Sequence, residues 1–203
     1  MSYNIIPVGD HCATAMILKD LNRRTCSYPF DWVADSRAEH SCIHANLSTI
    51  QELLHTDPSA IVTQFLGDAV IGGAKVNRHT HMLFQHEEGS IEEVRAKYER
   101  RFERLLQDIQ RKKNLFILLT RFHLIEKEQL DAFISRMRAY NPDNRFLVIS
   151  GIEHPYLNDS VYQNALTYKY IYYNPAKKWD FDYSHFRPQI KQYLRSTIDL
   201  LVT

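Results

Sequence analysis

Along this chain the spacing of apolar residues changes repeatedly, and each change predicts an element. "YNIIPV" at 3–8 is a short apolar run stopped by Gly9, which predicts a buried first strand. Ala13, Met16, Ile17 and Leu21 then recur at helical spacing over 12 to about 22. Ile43, Leu47, Ile50 and Leu54 predict a second helix over about 37–55, ended by Asp57-Pro58-Ser59. The pair Gly72-Gly73, between "DAVI" and the alternating "VNRHTHMLFQH", predicts a hairpin. The clearest helix spans about 90–112. Ser90 and Glu93 form a capping box at its start, and Ile91, Val94, Tyr98, Phe102, Leu105 and Ile109 share one stripe.

"NLFILLT" at 114–120 and "RFLVIS" at 145–150 predict two buried strands on either side of a helix at 126–140. Strand, helix and strand in that order predict a right-handed parallel crossover. "ALTYKYIYY" at 165–173 alternates as a further strand does, and Phe186 to Leu201 reads as a closing helix. The expected fold is α/β: a single layered domain over residues 1–203, with a mostly parallel sheet flanked by helices and a small hairpin insertion near 60–88.

Composition narrows the function. With 25 basic and 24 acidic residues the net charge is +1, which gives no bulk electrostatic reason to bind nucleic acid or an anionic membrane. Three cysteines, an odd number with no metal-ligand spacing, predict free thiols and a reducing compartment. The N-terminus has neither a basic region nor a long apolar run, and the apolar runs elsewhere are too short to span a bilayer. The expectation is a soluble, cytoplasmic protein.

Chemistry concentrates at "VGDHC" (8–12). Ligands of open parallel sheets sit beyond the carboxyl ends of the strands, and Cys12 falls there, at the start of a helix. Free N–H groups at a helix start favour a thiolate. Gly9 lets the backbone turn close to a substrate, and amides from Gly9 through Asp10 and His11 to Ala13 are candidates for an oxyanion hole. A buried, inert cysteine filling the strand–helix turn fits the same position. Asp31, in "SYPFDW" at 27–32, either orients the site or accepts backbone N–H bonds in a tight turn.

The block "VGDHCATAMILKDLNRRTCSYPFDWV" resembles the N-terminal block of the putative papain-like cysteine peptidase family, a domain family of unknown function. "LFQH" at 83–86 and the Arg-rich "KYERRFERLL" at 97–106 are similar to later features of that family. The resemblance implies a Cys/His site with Cys12 as nucleophile and His86 as its base. A rival base is His185. Asp182 precedes it by three residues before the last helix, which is similar to the arrangement of SGNH hydrolases, although Cys12 does not replace a serine directly after Asp10. His40 and His44 lie four apart, but without the His-Glu-x-x-His order, and no metal site is expected. The Arg-rich face of the 90–112 helix is expected to be solvated and interleaved with glutamates.

The expected function is cysteine-dependent acyl transfer to water or to another acceptor, on a small-molecule or peptide acyl substrate. The strand–Cys–helix start also resembles a capsular-polysaccharide acetyltransferase family, which keeps coenzyme A open as an acyl donor. A non-catalytic binding module with a structural Cys12 is the alternative. Oligomeric state is not written in the sequence.

Overall fold

The computed structural model describes residues 3–37, 40–67, 76–84, 86–157, 165–174, 176 and 185–202. Four parallel strands form the sheet: β1 (Asn4–Gly9), β4 (Asn114–Thr120), β5 (Arg145–Ser150) and β6 (Leu166–Tyr170), in the order β1-β4-β5-β6. All seven residues of β4 are buried, as a strand covered on both faces requires. Its side chains divide by parity. Phe116 and Leu118 join one core, while Leu115, Ile117 and Leu119 join the other.

The first core is closed by α2 (Ile43–Leu53), α3 (Pro58–Leu66), α4 (Ile91–Arg111) and α5 (Lys127–Tyr140). The second is closed by α1 (Ala13–Asp20) and α6 (Arg187–Leu201). The expected α/β architecture of a parallel sheet between helices is therefore observed. Among the described residues no helix is long and apolar enough to cross a membrane.

Two local expectations are corrected. Asp57-Pro58-Ser59 does end α2, but it also starts α3: Asp57 accepts the Ser59 N–H at 2.9 Å and Pro58 occupies the first turn. The second helix begins at Ile43 rather than near 37. The small hairpin turns at Asn77–Met82, where Asn77 N–H donates to Met82 O and Val76 bridges Leu83. Gly72-Gly73, expected to form the turn, lie outside the described residues. The second strand of this hairpin, β3 (Met82–Leu83), pairs antiparallel with β2 (Ala34–Asp35). Glu93 and Ser90 close the capping box of α4 as expected.

Candidate functional site

The carboxyl ends of the strands are tied into one row. Asp10 N–H donates to Leu119 O, Gly151 N–H to Thr120 O and Ile171 N–H to Ser150 O, each at 2.8–2.9 Å. Two glycines permit close packing here. A Cβ on Gly9 would lie 2.3 Å from Thr14 Oγ1, and one on Gly151 would lie 2.0 Å from Arg121 O. Gly9 is thus required by the approach of α1 and not by a left-handed backbone angle.

Beyond Gly9 the chain turns through Asp10 and His11, and Cys12 becomes the N-cap of α1. Cys12 is 7% exposed, and its Sγ lies 3.2 Å from His11 Nδ1. Ala13 N–H donates to the same Nδ1 at 3.3 Å, which places the acceptor lone pair on Nδ1. His11 is held strongly neutral, with its pKa lowered to about 3 by burial first, then by the Arg121 and His86 charges. An ordinary thiol ionises near pH ~8.5, so moving its proton onto such an imidazole is uphill by roughly five powers of ten. His11 therefore touches the thiol without being able to hold its proton. The Ala13 and Asp10 amides, both expected in an oxyanion hole, are engaged here with His11 and with the sheet.

Asp10 is fully buried. Its Oδ2 accepts the Arg121 N–H at 3.1 Å, and Arg121 Nε lies 3.4 Å from Oδ1. The Arg121 guanidinium also sits 4.9 Å over the Phe122 ring. Sequence reasoning missed Arg121. The usable signal is an arginine one residue past an apolar strand that neighbours the cysteine-bearing one.

His86 packs edge-on against Trp32 with ring centroids 5.3 Å apart, and Arg24 covers the same indole. Its position is fixed by the next residue, because buried Glu87 pairs with Arg101 at 2.6 Å and Lys97 at 2.5 Å. Arg101 is therefore not part of a solvated face. Arg104 is likewise engaged, donating to Ser27 O at 2.7 Å.

His185 packs on Tyr173 with centroids 4.9 Å apart, just before α6. Helix α6 lies on the same face as α1, and Arg187 and Lys191 both reach Asp20. His185 thus sits just before α6, which packs on the α1 side of the sheet, while the His86 charge acts on His11, the neighbour of Cys12. Asp182 lies outside the described residues.

Asp31 bonds within its own loop. Its Oδ2 takes Arg24 Nη2 at 2.6 Å, Arg24 Nε at 3.0 Å and the Tyr28 N–H at 3.1 Å, pinning the 24–31 loop. Burial raises its pKa against these bonds. Phe30, next to it, packs on Phe65 and Phe102. His40 stacks on His123, while His44 bonds Gln129 and Leu124 O, so the two do not converge. Among the described residues no three metal-ligating side chains come together.

No curated protein and no solved structure matches the chain. A family model described as "Putative papain-like cysteine peptidase" matches residues 3–46, from β1 through the Asp31 loop into α2. Over that segment, which contains Cys12, His11, Asp10 and Asp31, the chain is similar to a family whose description is a cysteine peptidase.

Proposed function

We propose that the chain is a cysteine hydrolase of the peptidase type, with Cys12 as nucleophile and His86 as the base that activates it. The observation that carries this reading is the placement of Cys12 Sγ at the start of α1, beyond the carboxyl end of β1, within the segment similar to a cysteine peptidase family. A helix start stabilises a thiolate. His11 cannot act as the base, because its proton affinity is too low. His86 is assigned as the base because it lies in the motif similar to that family and its charge acts on His11, the residue beside Cys12.

In the reaction, His86 takes the thiol proton and Sγ attacks the carbonyl of a small-molecule or peptide acyl substrate. The imidazolium protonates the leaving group, and water cleaves the thioester. Ala13 N–H becomes an oxyanion donor by leaving His11 Nδ1. A second reading assigns the base to His185, favoured by the shared face of α1 and α6.

The test exposes the protein to activated esters and peptide amides and follows turnover together with the mass of the Cys12 peptide. An acyl adduct on Cys12 that forms in the wild type and is lost or greatly slowed in His86→Ala, with turnover abolished in Cys12→Ala, is the expected result. Turnover unchanged in Cys12→Ala sinks the reading, and a defect confined to His185→Ala moves the base to His185.

A further inference from the structure

Cys12 is covered by the residue before it. Cys12 is 7% exposed and His11 9%. Both nitrogens of the His11 ring flank the sulfur, Nδ1 at 3.2 Å and Nε2 at 3.8 Å, and Nδ1 also takes the Ala13 N–H at 3.3 Å. An attacking thiolate needs its target carbonyl carbon ~3–3.5 Å from Sγ. The carbonyl oxygen must at the same time lie ~2.7–3.1 Å from an N–H that will hold the oxyanion. His11 Nδ1 already fills that place, close to Sγ and to the first amide of α1 at once. A carbonyl group and the ring cannot both be there.

We propose that His11 is a gate over Cys12: in the closed state its ring fills the place of the substrate's carbonyl group, and it swings off Sγ and the Ala13 N–H before an acyl substrate binds. This rests on the reading of Cys12 as nucleophile and adds a control step to it.

The backbone on either side of the ring is anchored, so the moving part is the side chain. Asp10 N–H donates to Leu119 O at 2.9 Å, and the Asp10 carboxylate takes the Arg121 N–H at 3.1 Å. After the ring, Cys12 O accepts the Met16 N–H at 3.1 Å. Turning His11 about its side-chain bonds releases the Ala13 N–H and leaves these anchors intact. A neutral hydrogen bond biases such an equilibrium by roughly a factor of ten. The gate is therefore closed most of the time, yet a carbonyl oxygen can replace Nδ1 as the acceptor of the same N–H. The ring is held neutral, so the gate works by filling space and not by its charge.

The test measures the rate of iodoacetamide labelling at Cys12 on its high-pH plateau, where the thiol is fully ionised and the rate reports access alone. His11→Ala should label about ten times faster than the wild type. His11→Asn, whose amide oxygen can take the Ala13 N–H, should stay near the wild type. A catalytic role for His11 has the opposite sign, because removing the ring would then slow the reaction.

An unchanged or slower rate in His11→Ala overturns the proposal. If that variant does not fold, the wild type decides through the nitrogen NMR resonance of His11 Nδ1 before and after alkylation of Cys12. Loss of the hydrogen bond from Ala13 supports the gate, and an unmoved resonance overturns it. Faster labelling in His11→Ala without turnover of any acyl substrate keeps the gate and discards the hydrolase. Turnover that depends on Cys12, with equal labelling of wild type and His11→Ala, keeps the hydrolase and discards the gate.

Discussion

At the amino ends of the strands, polar groups are buried and paired. Asn4 donates to Tyr28 Oη at 2.6 Å, Tyr28 donates to Asp108 at 2.5 Å, and Asn114 bonds Asp108 O and Asn144 at 3.1 Å each. At the carboxyl ends, Thr14 Oγ1 and Asn46 Oδ1 are buried without a protein hydrogen-bond partner, and Asp10 Oδ1 has only the long ion-pair contact with Arg121. Buried polar atoms are nearly always satisfied in native proteins, so these exceptions beside the turn that carries Cys12 mark places where stability has been given up. The difference sets a closely paired amino end against a carboxyl end that carries the proposed site.

The largest expected effect tests the structural end. Asp108→Ala removes the acceptor of Tyr28 and the partner of Lys112, and it should cost about 3 kcal/mol in urea unfolding while leaving the pH dependence of Cys12 labelling unmoved. A change in Cys12 reactivity would dissolve the separation of the two ends.

The next effect is a pH dependence from His11. Its folded pKa of about 3 lies below the ordinary value of 6.5. Below pH 6.5 the unfolded chain gains a proton that the folded one does not, so this contribution is full above that pH and is lost as pH falls toward 3. Between pH ~6.5 and ~5 the wild type should lose about 2 kcal/mol that His11→Asn does not lose. Equal slopes in urea titrations of the two proteins would show that His11 is not held neutral.

Close packing gives a smaller test. Gly9→Ala drives a Cβ to 2.3 Å from Thr14 Oγ1 and should destabilise by ~1–3 kcal/mol, much of it recovered in Gly9→Ala/Thr14→Ala. Failure of the second change to rescue would place the strain elsewhere. The smallest effects carry opposite signs. Tyr28→Phe should destabilise by about 1 kcal/mol, because it removes a satisfied hydroxyl from the amino end. Thr14→Val should be neutral or slightly stabilising, because it removes an unsatisfied one from the carboxyl end. Two changes of the same sign would erase the contrast.

Local pattern was enough for much of the fold. The all-apolar run at 114–120, the capping box at Ser90 and the strand–helix–strand order to 150 lead directly to β4, α4 and the parallel β4–β5 pair. Helix α3 was hidden because Asp57-Pro58-Ser59 signals both an end and a start, and only the space between α2 and α4 decides which follows. At the site, the position of Cys12 was legible because it follows a strand and opens a helix. The packing of Cys42 on Gly9 and of Arg121 on Asp10 was not, since those contacts join residues 33 and 111 positions apart. Asp31 showed the opposite case: a carboxylate beside aromatic residues, whose partners Arg24 and Tyr28 are local in sequence.

The central claim is that Cys12 is a nucleophile activated by a histidine on the same edge of the sheet. The measurement that tests it most directly is the pH dependence of iodoacetamide labelling at Cys12 in the wild type, His86→Ala and His185→Ala. The account predicts fast labelling well below pH ~8, lost or shifted upward in His86→Ala and retained in His185→Ala. Slow labelling that follows an ordinary thiol in all three proteins would contradict it and make Cys12 a packing residue of a non-catalytic domain.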